Sequence, residues 1–442
     1  MYDKITSRVR FLSISSTRFS RNTHPALTIL REYETPIFMP VGTKGTIKGL
    51  TSQQMESLDC KILLANTYHL GAQPGPDVLD KMGGLHKFMN WKRNILTDSG
   101  GFQMVSLFDL ADITEEGVKF RNPDDGSMMM LTPEKSVELQ NKIGADILMA
   151  LDDVNSSVDD DMKRFEEATN RTVRWLDRCI AAHRRPKDQC IFAIVQGGLD
   201  TSKGGLREQN LKDLKKREKS LGGYAIGGLA GGESKDAFWR VVEKCTCPED
   251  GLPKHMPRYL MGVGYVCVCV CVFFLILTPY YNIRYPIDLV VCVALGVDMF
   301  DCVFPTRTAR FGVALVNEAA KGETNGSLRL RTSKFSEDSR HITETEDWSH
   351  REPHRLTRSG HRMLLKTESV GANGVGGQLL SLHNVAYMLK LSKEMREAIK
   401  EKRFEKFVQE FMIKQYPKRD YPKWILEAMD VAGIKLLKKD DE

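Results

Sequence analysis

The feature of this sequence that most constrains its fold is a series of eight short apolar runs, each ending in glycine or polar residues and followed by a helix-like stretch. The runs span 36–43, 60–70, 94–101, 145–153, 190–198, 224–232, 258–264 and 299–307. Strands that alternate with helices predict parallel βα units, and eight such units close a (β/α)8 barrel. The alternative is an open doubly wound sheet, but the chain has no GxGxxG pattern to favour it.

Groups capable of chemistry follow seven of the eight runs. They are Asn66, Asp98, Asp152, Gln196, Gly228, Met261 and Asp301. In (β/α)8 enzymes the active site lies at the carboxyl ends of the strands, so these residues predict one site at one end of the barrel. Taken singly, Asp and Asn at such positions also cap helices.

The composition is that of a soluble globular protein, with 41% hydrophobic and 28% charged residues. A net charge of +6 permits a polyanionic partner without requiring one, because Lys and Arg are spread along the whole chain. The ten cysteines lack the spacing of a disulfide framework and no secretory signal is present, which predicts a reducing compartment, the cytoplasm. The apolar run 266–277 is too short to span a bilayer.

Three regions are predicted along the chain. Residues 1–317 form the barrel, 318–379 are polar and irregular, and 380–442 form amphipathic helices with a basic outer face. Two interpretations of the Arg- and Ser-rich N-terminus stay open. An edge strand of the fold is favoured over a mitochondrial transit peptide, and the latter would associate the protein with mitochondria.

Eight ordered motifs carry a resemblance to a known family. They are FMPVGTKGT, ANTYHLG, LTDSGGFQM, LMALDDV, FAIVQGGLD, AIGGLAGGE, RYLMGVGY and DMFDCVFPTRTARFG, with LHNVAYMLKL extending the likeness toward the C-terminus. Together they resemble the queuine tRNA-ribosyltransferase family over most of 36–317. The resemblance implies a (β/α)8 barrel with an appended helical subdomain that normally binds zinc, and the exchange of guanine for queuine at the wobble position of tRNA.

The family's chemistry gives roles to two carboxylates. Base exchange at the anomeric carbon of a ribose resembles the reaction of a retaining glycosidase, in which one carboxylate attacks carbon and a second handles the proton of the leaving group. By resemblance, Asp301 is the nucleophile that forms a covalent RNA intermediate. Asp98 protonates the departing guanine and then deprotonates the incoming base.

The resemblance also implies a base pocket. Asp152 would accept hydrogen bonds from the ring N–H and the exocyclic amine of the purine, while Phe102 and Met261 would enclose its faces. Gly231, smaller than its bacterial counterpart, would admit the cyclopentenediol of queuine. The full set of expected base contacts is Ser99, Gly100, Gly101, Phe102, Asp152, Gln196, Gly228, Leu229 and Met261.

Contacts to RNA are expected after the seventh and eighth runs, again by resemblance. Arg307 and Arg310 suit phosphate oxygens or guanine edges. The full set is Gly262, Val263, Gly264, Tyr265, Thr306, Arg307, Thr308, Ala309 and Arg310.

The sequence departs from the family in two segments. The family holds a structural zinc with three cysteines and a histidine, yet only His383 is present here, since no cysteine follows Cys302. Residues 339–363, with four new histidines, resemble nothing in the family, and we interpret them as a shifted reading frame or a mis-spliced exon. Residues 266–286 form an insertion rich in Val-Cys repeats, which is either retained intron sequence or a lineage-specific β-hairpin.

Three hypotheses of function follow. In the first, the chain is the catalytic subunit of a heterodimer with a non-catalytic homologous subunit, acting on tRNA and queuine without a redox or nucleotide cofactor. In the second, it is the non-catalytic tRNA-binding subunit itself. In the third, it is the inactive product of a mis-spliced gene. Asp98 and Asp301 stand in intact motifs, which favours the first hypothesis.

Overall fold

The computed structural model describes residues 13–15, 32–101, 112–121, 127–229, 231–262, 285–317, 326–342, 356–370 and 374–439. Phe102 and the predicted RNA contacts Val263, Gly264 and Tyr265 lie outside the described residues. So do almost all of the predicted insertion and about half of 339–363.

Eight parallel strands close into a barrel in chain order, which confirms the predicted (β/α)8 fold and excludes the open sheet. We number them β1 (Ile37–Gly42), β2 (Ile62–Ala65), β3 (Asn94–Thr97), β4 (Ile147–Met149), β5 (Cys190–Val195), β6 (Gly223–Ile226), β7 (Arg258–Leu260) and β8 (Met299–Cys302). The barrel closes where β8 pairs with β1, with Asp301 opposite Met39. Because successive strands are neighbours, all the carboxyl ends meet at one mouth.

The strands are mostly apolar because both of their faces are covered. Alternate side chains such as Met39, Leu64 and Phe192 fill the barrel interior. The intervening side chains, such as Phe38 and Leu63, pack beneath the surrounding helices. This explains why the sequence shows continuous apolar runs rather than the alternation of a half-exposed sheet.

Helices lie between the strands and cover the outside of the barrel. They span Ser52–Ser57, Thr67–Ala72, Pro76–Lys81, Leu85–Phe88, Pro133–Ile143, Met162–Ala182, Leu206–Lys215, Lys235–Thr246, Tyr285–Ala294 and Phe304–Arg310, with a 3-10 turn at Glu218–Ser220. Local sequence sets their ends. The helix Pro133–Ile143 starts at Thr132, whose side chain accepts from Lys135 N, and stops at Gly144 in the left-handed region.

Three small sheets lie outside the barrel strands among the described residues, and one of them is formed by Val313–Leu315 and Ser327–Arg329 in the C-terminal region. An antiparallel sheet of Asp112–Ile113, Val118–Arg121 and Met128–Leu131 is inserted between β3 and the helix Pro133–Ile143. The sequence did not predict it, because its strands are only two to four residues long. Near the N-terminus, Ser13–Ser15 pairs antiparallel with Glu32–Glu34, which confirms an edge strand at this point.

The C-terminal region contains more regular structure than predicted. Its elements are the strands Val313–Leu315 and Ser327–Arg329, a 3-10 turn Ser333–Phe335, and the helices Arg358–Thr367, Val375–Lys400, Phe404–Gln415 and Lys423–Ala432. The prediction of an irregular 318–379 is therefore wrong for 327–329, 358–367 and 375–379.

The sequence pattern did not predict these helices for two physical reasons. Arg358–Thr367 is mostly polar, and two of its three buried side chains are Arg358 and His361, so it lacks the apolar stripe that marks a packed helix in a sequence. The long helix begins with Gly376 packed against Leu365, and a glycine adds nothing to an apolar pattern. Among the described residues, no helix combines the length and apolarity that crossing a membrane requires.

Candidate active site

Asp98, the predicted acid–base residue, is buried at the carboxyl end of β3. The neighbouring end of β2 holds it: Thr67 N donates to Asp98 Oδ1 over 2.9 Å, and Asn66 Nδ2 donates to Oδ2. The Thr67 hydroxyl also donates to the carbonyl of Asp98 over 2.5 Å. Two strand ends thus fix this carboxylate at the mouth, as the predicted site requires.

Asp152 follows β4 and is linked to the strand ends on both sides. Gln196 Nε2 donates to Asp152 Oδ2 over 2.7 Å, and Ser99 Oγ lies 3.4 Å from Asp152 Oδ1. Burial raises the pKa of Asp152 to about 6, although the hydrogen bond from Gln196 opposes the shift. Three of the predicted base contacts therefore form one hydrogen-bonded group.

Gly228, at the end of β6, completes this wall of the mouth. Its φ is +67°, and a Cβ at this position would lie 2.5 Å from Gln196 Oε1. Only glycine lets the backbone come this close to the Gln196 side chain. Leu229 follows, half-buried.

Asp301, the predicted nucleophile, stands at the end of β8, where the barrel closes. The Tyr259 hydroxyl donates to Asp301 Oδ1 over 2.6 Å, and Gly262 N donates to the same oxygen over 2.8 Å. Burial raises the pKa of Asp301, and these two hydrogen bonds oppose the shift by stabilising the carboxylate. Both of these hydrogen bonds fall on Oδ1 and neither on Oδ2. Met261, half-buried beside this group, packs against the barrel interior.

The helix Phe304–Arg310 carries the expected RNA contacts that the structure describes after β8. The Thr306 and Thr308 hydroxyls donate to carbonyls of their own turn, those of Val303 and Phe304. The Ala309 side chain is fully buried. Arg307 and Arg310 are half-buried at the surface, so they are the charged groups this segment offers to RNA.

Two lysines that we did not predict join these arginines. The pKa of Lys48 is lowered by burial and by the nearby charges of Arg310 and Lys44. Burial lowers the pKa of His69 most, and the charges of Lys44 and Lys48 lower it further. A positive cluster, Lys44, Lys48, Arg307 and Arg310, therefore lies around the ends of β1 and β8, beside the predicted nucleophile. Lys44 and Lys48 lie in and just after the motif FMPVGTKGT, but only the pairing of β8 with β1 brings Lys48 near Arg310.

Other residues of the mouth were also missed. Tyr259 lies on β7, two positions before Met261, which follows the strand end, so the two-residue alternation was a signal for it. The fully buried Asp153 carboxylate contacts Arg164 and Arg171, both from the helix Met162–Ala182. No local sequence signal links Asp153 to these arginines.

Gly231 has a structural reason to be small that differs from the expected one. A Cβ at this position would lie 2.3 Å from Ser157 Oγ, in the loop after β4. Ser157 Oγ also donates to Glu233 Oε2 over 2.6 Å, which ties the loops after β4 and β6 together. The glycine thus permits contact between two loops, and room for a larger base remains a prediction.

The residues present do not fit the zinc site that the family implies. His383 is buried in the long C-terminal helix, and its Nε2 donates to the carbonyl of Leu315 over 2.7 Å, so this nitrogen offers no lone pair to a metal. In the described part of the chain, no three His, Cys, Asp or Glu side chains are grouped to hold a metal ion. Of the new histidines, His341 is exposed and His361 fully buried, while His350 and His354 lie outside the described residues.

Comparison with known proteins shows similarity over most of the chain. The profile of the queuine tRNA-ribosyltransferase family matches residues 19–272 and 280–417. The queuine tRNA-ribosyltransferase catalytic subunits of Schizosaccharomyces pombe and Caenorhabditis elegans are 47% and 44% identical over 91% of this chain and 92% and 94% of their own. A Staphylococcus aureus queuine tRNA-ribosyltransferase is 42% identical over 86% of this chain and 89% of its own. Residues 273–279, between the matched stretches, fall inside the predicted insertion, whereas 339–363 lies within the second stretch.

Proposed function

The chain belongs to the queuine tRNA-ribosyltransferase family, and on this premise we propose that it exchanges guanine for queuine at the wobble position of tRNA. The observation that carries the proposal is the pair of carboxylates at one barrel mouth. Asp98 ends β3 and Asp301 ends β8, and each accepts hydrogen bonds from the neighbouring strand end. A retaining exchange needs two carboxylates in different roles.

In the proposed first half-reaction, Asp301 Oδ2 attacks C1′ of the ribose while the bond from C1′ to the guanine nitrogen breaks. The electron pair of that bond leaves with guanine, and protonated Asp98 supplies the proton that neutralises it. The product is an ester between Asp301 and the RNA.

In the second half-reaction, the Asp98 carboxylate removes a proton from queuine. The queuine nitrogen then attacks C1′ and displaces Asp301. Two inversions at C1′ give overall retention.

The Asp152, Gln196 and Gly228 group suits a purine edge. A carboxylate accepts from the ring N–H and the exocyclic amine, while an amide side chain and a backbone N–H can donate to the purine carbonyl. Phe102 and Met261 are proposed to enclose the ring. Ser99, Gly100, Gly101 and Leu229 complete the proposed pocket.

The positive cluster supports a tRNA substrate, because Lys and Arg side chains neutralise phosphates. Two of the relatives are named as catalytic subunits, which supports a heterodimer with a non-catalytic homologous subunit. Location in the cytoplasm or at mitochondria stays a prediction from the sequence.

The alternative, a non-catalytic tRNA-binding subunit, predicts that one of the catalytic groups is missing or displaced. Both are present with hydrogen-bond partners, which favours the enzyme. The test is incorporation of labelled guanine into tRNA by the purified chain with its partner subunit.

Exchange that is lost in Asp301→Asn, together with loss of a covalent RNA adduct, would support the proposal. A folded complex that incorporates no guanine would overturn it for this chain. An adduct that persists in Asp301→Asn would refute the assignment of the nucleophile.

A further inference from the structure

A fully buried arginine lies behind the proposed base pocket. Arg207, near the start of the helix Leu206–Lys215, donates Nε to Gly198 O over 2.8 Å, Nη1 to Val195 O over 3.0 Å and Nη2 to Gly227 O over 2.8 Å. No ion pair joins it to a carboxylate among the residues the structure describes. A further hydrogen-bond partner of the guanidinium is the Cys245 side chain. A buried cation without a carboxylate partner is costly, so its position calls for a reason.

The three carbonyls belong to the ends of β5 and β6, where the sequence also places Gln196 and Gly228. Val195 O accepts a second hydrogen bond, from Gly227 N over 3.0 Å, so the two turns are joined. A Cβ at Gly228 would lie 3.0 Å from Arg207 Nη2 and 2.5 Å from Gln196 Oε1. Arg207 thus lies directly against the backbone that is proposed to contact the base.

The hydrogen bond to Gly227 O also fixes the next backbone donor. The peptide between Gly227 and Gly228 is trans, and in a trans peptide the C=O and N–H point in opposite directions. Because Gly227 O faces Arg207, the Gly228 N–H faces away from it. That N–H meets no acceptor among the described residues, and Gly228 is partly exposed at the mouth. It is therefore available to a ligand.

We propose that Arg207 is a positioning residue for base exchange, fixing the Gly227–Gly228 peptide so that the Gly228 N–H donates to the purine carbonyl. This proposal rests on the proposed function. When the bond to C1′ breaks, its electron pair enters the purine and part of the negative charge reaches the carbonyl oxygen. A fixed donor at that oxygen stabilises the charge until Asp98 delivers its proton. A positive charge on Gly227 O also polarises the amide and strengthens its N–H as a donor.

A merely structural arginine would behave differently, and the chain supplies a matched control. Arg258 is also buried and donates to three backbone carbonyls, those of Thr246, Leu252 and Gly296. It begins β7, at the opposite end of the barrel from the proposed site. Arg258→Met removes a similar set of hydrogen bonds and leaves Gly228 untouched.

The test compares guanine with 6-thioguanine as competing bases in exchange into tRNA by the heterodimer, because 6-thioguanine keeps the ring N–H and the exocyclic amine and replaces only the carbonyl oxygen by sulfur, a weaker acceptor. The wild-type chain and Arg258→Met should both prefer guanine by up to about tenfold, the effect of one hydrogen bond. In Arg207→Met the preference should fall toward one, because the Gly228 N–H is no longer fixed, and kcat for guanine should fall more than its KM rises. Arg207→Lys keeps the charge but cannot reach all three carbonyls, so it carries the same expectation if the methionine variant does not fold.

The possible failures are distinguishable. Absence of guanine exchange by the wild-type complex would overturn the proposed function itself. Wild-type exchange together with an undiminished guanine preference in a folded Arg207 variant would overturn only the role of Arg207. Equal loss of preference in Arg207→Met and Arg258→Met would show a general effect of destabilisation, and would also overturn it.

Discussion

The Tyr259 hydroxyl lies 2.6 Å from Asp301 Oδ1 and donates to it across the pair of strands β7 and β8. It shares this oxygen with Gly262 N. Both donors stabilise the carboxylate, the form of Asp301 that can act as nucleophile, against the effect of burial. The ionisation of the proposed nucleophile Asp301 therefore depends on a residue that carries no catalytic signature of its own.

Tyr259→Phe should lower kcat by about 10- to 100-fold, because a hydrogen bond to a charged group contributes about 1.5–3 kcal/mol. It should also raise the pKa of Asp301, so the acidic limb of the kcat profile should move to higher pH. Tyr224→Phe is the matched control, since the buried Tyr224 hydroxyl meets no partner among the described residues. An unchanged pH profile in Tyr259→Phe would contradict this role.

The affinity for guanine should depend on pH through Asp152. Only the carboxylate accepts both donors of the purine edge, and its pKa is about 6. KM for guanine should therefore fall as pH rises from 5 to 7 and level off above, whereas Asp152→Asn should show a high, flat KM. A KM minimum at pH 5 in the wild-type enzyme would be incompatible with this assignment.

The raised pKa of Asp152 should make the fold less stable as pH rises, whereas it should make guanine binding tighter. The pKa of Asp152 in the folded state exceeds the ordinary value of 3.8, so the folded state binds the proton of this carboxyl group more tightly than the unfolded state does. The contribution to stability is fully present below pH 3.8 and is lost as pH rises through about 6. Asp152→Asn should therefore be more stable than the wild-type chain at pH 7.5 and gain less at pH 5, measured by urea unfolding at the two values.

Arg171→Met should destabilise the fold by about 3 kcal/mol, the lower end for breaking a buried ion pair, because Arg164 still contacts Asp153. Arg174→Met removes an ion pair to Glu115 in which both side chains are about half exposed, and should cost less than about 1 kcal/mol. Urea unfolding of the two variants measures the difference. Equal losses would show that burial of Asp153 does not decide the stability of this region.

The C-terminal region should be stable without metal. An apolar cluster that includes Leu328, Phe335, Ile342 and Leu365 packs against Ala309 of the helix Phe304–Arg310. Incubation with EDTA should leave the melting temperature unchanged, and elemental analysis should find no stoichiometric zinc. Leu365→Ala should cost about 2–5 kcal/mol. A fall in melting temperature on chelation, reversed by zinc, would contradict this expectation.

The positive cluster should govern the salt dependence of tRNA binding. Lys48→Ala and Arg310→Ala should each weaken binding and reduce the slope of log K against log salt by up to about 0.9, the value for one phosphate contact. Lys216 is an exposed lysine just past the end of the helix Leu206–Lys215, where it pairs with Asp213. Lys216→Ala should leave the slope unchanged. Filter binding from 50 to 200 mM salt is the measurement, and identical slopes in all variants would exclude the cluster from the RNA interface.

The sequence by itself determined the eight strands and the positions of Asp98, Asp152, Gln196 and Asp301 at their ends. It could do so because a strand buried on both faces is a continuous apolar run and its end is marked by the first polar residue. The antiparallel sheet after β3 and the helix Arg358–Thr367 carry no such signal, since they bury few apolar side chains.

Only the tertiary structure decided which side chains and backbone groups contact these residues or lie near them. The closure of β8 on β1 brings Lys44 and Lys48 to Arg310, and the joined turns of β5 and β6 place Arg207 behind Gly228. These contacts depend on distances between segments far apart in the chain. No local periodicity encodes them, so the sequence indicates the carboxylates of the site while the packed barrel sets their partners.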